Sequence, residues 1–245
     1  MKIAVVPARG NSKGVLKKNI RILGNKPLIN WTLDFAIESK AFDFIILSTD
    51  NYEIVTKSSK FSEHSHHFEK MKENDLFFFE GGFVLHKRKY IHATSEAKTI
   101  LFVEDIIKKM KLCDDDTLVL LQPTSPFRTH DELLKILEIS QNLDFESIIS
   151  AKIFDSPHPA KSIVIRNGYL DQEKSSLSNL STPRQLLQEY HVFDGAYYAS
   201  NVGNVKLNNS FISKNTQIFL RSGPITTNID NEMDLVLANN LIKLL

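Results

Sequence analysis

Short, continuous apolar runs punctuate the chain at residues 3–7, 44–49, 83–86, 118–122 and 148–151, each closed by polar or turn-forming residues. Strict alternation would mark strands with one wet face, whereas unbroken runs mark strands covered on both faces, as in a parallel sheet. Between the runs the period becomes helical. Ile29, Thr32, Leu33, Ala36 and Ile37 share one face, behind Pro27, a residue tolerated in a first helical turn. Ile100, Val103, Ile107 and Met110 form a second stripe, and Met233, Val236, Leu237, Asn240, Leu241 and Leu244 a last one. Thr129 with Glu132 makes a capping box ahead of Leu133, Ile136 and Leu137.

This alternation predicts an α/β fold with a doubly wound, mostly parallel, Rossmann-like sheet, whose ligands bind beyond the carboxyl ends of the strands. Two stretches break the rhythm. Residues 62–80 carry His64, His66, His67 and then Phe77-Phe78-Phe79, and exceed the usual connection between such elements, which predicts a loop inserted in the core. The histidines lack the fixed helical spacing or nearby cysteines of a metal site, so a solvated loop, lid or oligomer contact is the expectation. Residues 153–192 hold Asn167-Gly168 between two short apolar runs, which reads as a hairpin. The predicted organisation is therefore a core of residues 1–152 and 193–245, with 153–192 as a small arm.

At 245 residues the chain can bury one such core, and 42% apolar with 24% charged residues is ordinary for a soluble globular protein. A formal charge of +1 argues against a nucleic-acid or membrane surface, since either needs a wide basic field. One cysteine, Cys113, rules out an intramolecular disulfide and a CxxC metal site, and fits a reducing compartment. The first apolar run is broken by Arg9 too early for a signal peptide, and no stretch nears the roughly 18 apolar residues of a membrane helix. The expected location is the cytoplasm.

Positive charge is concentrated after the first strand. Pro7-Ala8-Arg9-Gly10-Asn11-Ser12-Lys13-Gly14 continues to Lys17-Lys18-Asn19, placing Arg9, Lys13, Lys17 and Lys18 close together on a turn with two glycines. Exposed amides with that charge suit a phosphate, although a basic surface turn would share the composition. The spacing is neither GxxxxGK[ST] nor GxGxxG, which removes the main support for a P-loop or a dinucleotide fingerprint.

The string 8–14, then Lys18-Asn19, then Leu23-Gly24-Asn25-Lys26-Pro27-Leu28-Ile29, resembles the opening of the acylneuraminate cytidylyltransferases, or CMP-sialic acid synthetases. Residues 120–128, LLQPTSPFR, resemble that family's central motif, and Pro183-Arg184-Gln185 and IDNEMDL at 229–235 its later ones. The resemblance implies transfer of CMP from CTP to the anomeric hydroxyl of a sialic, legionaminic or pseudaminic acid, with release of pyrophosphate. It implies that Arg9, Lys13 and Lys18 are catalytic and act on the phosphates. Ala8, Arg9, Gly10, Asn11, Ser12 and Asn19 would bind the nucleotide, with Arg88 and Thr99 framing its base. Gln122, Thr124, Ser125, Lys161, Arg184 and Tyr198 would bind the sugar acid, and Asp230 with Asn228 would hold Mg²⁺ or Mn²⁺. Arm 153–192 would cross to a second subunit, giving a homodimer that binds CTP and a nonulosonic acid but neither nucleic acid nor membrane.

This sequence departs from the family pattern at several positions. Asn228 stands where an acid is expected and could instead ligate through its amide oxygen. Asp230 could equally cap the last helix. Leu16, Lys89, Val192 and Asp194 also differ, the last two being expected to alter the sugar pocket. Two neighbouring readings are a Kdo cytidylyltransferase and a nucleotide-binding relative of weak activity. From another class, Ser48-Thr49-Asp50 places an acid where dinucleotide oxidoreductases hold ribose.

Overall fold

A computed structural model of the chain describes every residue except 13, 143, 155, 172–174, 223–225 and 245, and all described side chains except that of 244. In chain order, β1 (Lys2–Pro7) leads through a 3-10 turn at Lys18–Ile20 to the short hairpin β2 (Ile22–Leu23) and β3 (Lys26–Pro27). Then follow α1 (Leu28–Ser39), β4 (Phe44–Thr49), α2 (Tyr52–Thr56), α3 (Ser65–Lys70), β5 (Leu76–Phe79) and β6 (Phe83–Lys87). The middle of the chain holds α4 (Thr99–Met110), β7 (Thr117–Leu120), α5 (His130–Ile139) and β8 (Ser147–Ile153). The arm carries β9 (Ile165–Arg166), β10 (Tyr169–Leu170) and α6 (Leu177–Ser181), before β11 (His191–Asn201), α7 (Val202–Asn208), β12 (Gln217–Leu220) and α8 (Glu232–Leu241).

Eight of the described strands form one sheet in the order β12-β8-β11-β7-β1-β4-β6-β5. The neighbours of β1 are both parallel to it, β4 arriving from one side and β7 from the other. That reversal of strand order beside β1 opens a crevice at the carboxyl ends of the strands. Ile3, Val5 and Ile46 face α4, with Val84, Phe102, Val103 and Ile106, while Ala4, Val6 and Leu47 face α1 and α5. Both faces of the central strands are thus covered, which explains their unbroken apolar runs. The predicted capping box of Thr129 and Glu132 is present at α5.

Two expectations need correction. Residues 62–80 are not a loop: they form α3 and the edge strand β5, antiparallel to β6. Phe68 is 2% exposed in the core, and Phe77 and Phe79 pack against the same cluster. Lys87 on β6 donates from Nζ to the carbonyls of Phe68 (3.0 Å) and Met71 (2.8 Å), closing the end of α3. The last helix is capped not by Asp230 but by Asn231, whose side chain accepts from Asp234 N at 2.9 Å. Asp234 Oδ2 in return accepts from the amides of both Asp230 and Asn231. In the arm, Asn167 (φ 53) and Gly168 (φ 84) occupy the left-handed region between β9 and β10, the geometry a two-residue hairpin turn requires.

Because α3 is fastened through one buried aromatic, Phe68→Ala should cost about 3–5 kcal/mol of folding stability. Chemical denaturation measures this, and a loss under 1 kcal/mol would show that α3 packs loosely.

Candidate active site

The turn after β1 curls over the crevice because three hydrogen bonds hold it, two of them to distant segments. Gly10 N donates to Asp50 Oδ1 at 2.8 Å, Asn19 Nδ2 donates to Arg9 O at 2.9 Å, and Lys18 Nζ donates to Ile229 O at 2.7 Å. Gly14 passes so close to the chain before α8 that an added Cβ would lie 2.0 Å from Asp230 O, so no larger residue fits this path. Beneath the turn is a cavity of about 390 Å³ whose walls include Arg9, Lys18, Asn19, Arg88, Gln122 and Asp230. Ser12, Thr99 and Thr124 also line it.

The described cations on its wall, Arg9, Lys18 and Arg88, outnumber the one wall carboxylate, Asp230, which gives the cavity a positive field suited to a polyanion. Arg9 Nη1 is steadied by Thr94 O at 2.9 Å. Arg88 is 5% exposed, lies over the Phe102 ring at 3.8 Å, and has its pKa brought down to about 10 by burial, leaving it charged at neutral pH. Lys17 turns away and pairs with Glu53. Lys13 lies outside the described residues.

The remaining expected site residues divide. Ala8 is buried beneath the turn, and Gly10 and Asn11 sit on its far side with Asn51. Ser125 is buried, and its hydroxyl donates to Asp194 O at 2.6 Å, so it braces the 122–128 turn. Lys161 and Arg184 lie in the arm and do not line this cavity; Arg184 lines another of about 320 Å³ beside Phe154, His158 and Tyr190. Tyr198 is half-buried on β11 against the α4 side, where burial and then Asp194 raise its phenol pKa. Asp194, expected in the sugar pocket, points inward: its Oδ2 accepts from Arg221 Nη1 at 2.8 Å. Asp50, the acid behind the oxidoreductase reading, is bound to the Gly10 amide instead.

Asn228 Nδ2 donates to Asp230 Oδ2 at 2.7 Å while its Oδ1 lies 3.2 Å from Ser125 Oγ, whose one hydrogen it shares with Asp194 O. The pair therefore shares a hydrogen bond rather than presenting two oxygens to one ion. Among the described residues no cluster of three or more His, Cys, Asp or Glu side chains could hold a metal. Asp230, whose Oδ1 also pairs with Lys18 Nζ at 3.2 Å, is the one carboxylate on this wall that a Mg²⁺ shell of one or two carboxylates, water and substrate phosphates would draw on.

A family profile described as cytidylyltransferase matches residues 3–76, which include the whole turn. The N-acylneuraminate cytidylyltransferase of Escherichia coli O18:K1:H7 is 26% identical over 239 residues, 96% of this chain and 51% of that protein. The first third of this chain thus matches cytidylyltransferases, and nearly its whole length is similar to them at about a quarter identity. The CMP-N,N'-diacetyllegionaminic acid synthase of Legionella pneumophila is 28% identical, over 99% of this chain and 96% of the relative. The chain thus spans about half the length of the Escherichia coli relative and nearly all of the Legionella one. A solved CMP:2-keto-3-deoxy-manno-octonic acid synthetase with CTP shares the fold, with a TM-score of 0.62 at 14% identity over 99% of this chain and 98% of that one. His92 and Thr94, on the wall of this cavity, escaped the sequence reading because neither belongs to a recognisable short motif.

Behind the cavity, burial and then Arg88 depress the pKa of His86 from an ordinary 6.5 to about 3. The folded state keeps this imidazole neutral while the unfolded chain protonates it. Its contribution is therefore complete above about pH 6.5 and declines as pH falls toward 3. The melting temperature should drop between pH 7 and pH 5, and His86→Asn should flatten that slope; an unchanged slope would contradict the assignment.

Proposed function

We propose that the protein transfers CMP from CTP to the anomeric hydroxyl of a sialic-type nonulosonic acid. The observation that carries this reading is the cavity at the strand ends, where Arg9, Lys18 and Arg88 converge under the family's glycine-containing turn. The names of the Escherichia coli and Legionella relatives supply the acceptor class.

In the reaction the sugar oxygen bonds to the α-phosphorus, the bond from that phosphorus to the bridging oxygen breaks, and pyrophosphate leaves with the electron pair. The hydroxyl proton passes to solvent. Such a transfer needs alignment and fixed positive charge more than covalent help from the protein. Arg9, Lys13 and Lys18 act on the phosphates, and the turn's amides with Ser12 and Asn19 complete the nucleotide cradle. Arg88 and Thr99 face the base, and Gln122 and Thr124 meet the sugar acid. Asp230 would hold a divalent cation, which when bound neutralises phosphate charge. Asn228 supports Asp230 through its hydrogen bond.

The protein works in the cytoplasm as a homodimer in which arm 153–192 brings Lys161 and Arg184 to the neighbouring cavity, both cations suiting a sugar carboxylate. Ile165, Tyr169 and Leu186, 66%, 80% and 76% exposed, support an arm that meets another surface. A monomeric mass by light scattering would contradict that role.

The test is pyrophosphate release from CTP and other nucleotides, each with a panel of nonulosonic acids and with Kdo. Release with CTP and a nonulosonic acid is expected, and Arg9→Ala should lower turnover about a hundredfold with little change in melting temperature. Release with Kdo alone would transfer the protein to the eight-carbon acceptor, and CTP binding without release would make it an inactive relative.

A further inference from the structure

Behind Arg88 runs a hydrogen-bonded chain whose polarity is fixed at every link. Ser48 and His86 are register partners on adjacent parallel strands, β4 and β6, and both are fully buried. The strand period of two puts Val84, His86 and Arg88 on one face, toward α4 and Phe102. Arg88 Nε lies 3.2 Å from Ser48 Oγ, and its Nη2 lies 2.8 Å from Ser48 O. A guanidinium only donates, so Ser48 Oγ accepts and has one hydrogen left. Its next neighbour is His86 Nδ1 at 2.9 Å. On its other side the ring's Nε2 meets Asn74 Oδ1, an acceptor, at 3.3 Å; this puts the imidazole proton on Nε2 and leaves Nδ1 of the neutral ring to accept from Ser48 Oγ. Asn74 reaches this position from a left-handed conformation (φ 69) that asparagine tolerates.

The guanidinium is planar, so anchoring its Nε and Nη2 edge fixes the direction of Nη1. Among the described residues Nη1 has no hydrogen-bond partner, and Arg88 lines the cavity. We propose that Ser48, His86 and Asn74 are positioning residues that hold Arg88 at the angle needed to donate to a carbonyl of the nucleobase. This rests on the CTP reading of the cavity. It also gives residues 62–80 a function: the chain that builds α3 and leads to β5 supplies Asn74, the outer anchor of a group that meets the nucleotide. The neutral state of His86 is part of the device, because a protonated Nδ1 could no longer accept from Ser48.

The test compares His86→Leu, His86→Asn and Ser48→Ala with the wild type, by kcat and KM for CTP and by calorimetric titration with CTP. Asparagine can place an oxygen near the position of Nδ1 and accept from Ser48, whereas leucine cannot. The expected result is a rise in the KM and Kd for CTP of about tenfold in His86→Leu and Ser48→Ala, with kcat within about twofold. His86→Asn should remain near wild type. A merely structural histidine would lower the melting temperature of all three without moving KM or Kd. The proposal is overturned if Ser48→Ala, the mildest change in volume, binds CTP as the wild type does, or if His86→Asn and His86→Leu weaken binding equally. Wild-type protein that binds CTP but releases no pyrophosphate with any acceptor would refute the transferase reading alone, since the titrations would still decide the relay. Wild-type protein that does not bind CTP would refute both.

Discussion

The fold's central constraint is that the turn leaving β1 cannot hold its shape alone. Its amides and carbonyls are tied to Asp50 after β4, to Asn19 within the turn, and to Ile229 before α8 through Lys18. These anchors come from segments up to 211 positions apart, so the turn acquires its shape only when the whole sheet is assembled. Donors fixed in this way before substrate arrives need no reorganisation during the reaction, which is where electrostatic catalysis gains most. The close passage of Gly14 against Asp230 O ties the turn to the segment before α8.

A second rigid framework lies on the opposite wall. Arg128 donates to Gln122 O, Ala196 O and Thr32 Oγ1, pulling the turn after β7 onto β11 and α1. Arg221 binds Asp194 at 2.8 Å and Glu132 at 2.9 Å, with all three side chains largely or wholly buried. Ion pairs so buried give back in Coulomb attraction much of what desolvation takes, and add little net stability. Here they fix geometry: β11 is locked beside the turn that carries Gln122 and Thr124. At Gly195 (φ 76) an added Cβ would lie 2.8 Å from Gln122 Oε1, which shows how tightly the two walls meet.

Much of this was legible in the chain because the relevant signals are local. Runs buried on both faces marked β1, β4, β6, β7 and β8, and the stripes and capping box marked α1, α4 and α5; α8 is a helix as expected, but it buries Leu235 and Ala238 and leaves Met233, Val236 and Leu237 of the expected stripe exposed. Arg9, Lys18, Asn19, Arg88, Gln122 and Asp230 were named from motifs, and the fold brings them to one cavity. What escaped depends on distant partners. β11 was hidden because Asp194 and Gly195 interrupt its apolar pattern, and the charge is balanced by Arg221 from another segment. β5 was hidden among histidines and charges that face an edge, where a strand needs no continuous apolar run. The pairing of Ser48 with His86 follows from sheet register, which no short motif encodes. Lys161 and Arg184 lie in the arm and Tyr198 packs on the α4 side, so none of the three lines the cavity.

The most direct measurement is a crystal structure with CTP bound. The triphosphate should lie under the turn between Arg9 and Lys18, with the base beside Arg88. A nucleotide found elsewhere on the protein, with that turn making no phosphate contact, would contradict the assignment of this cavity as the reaction site.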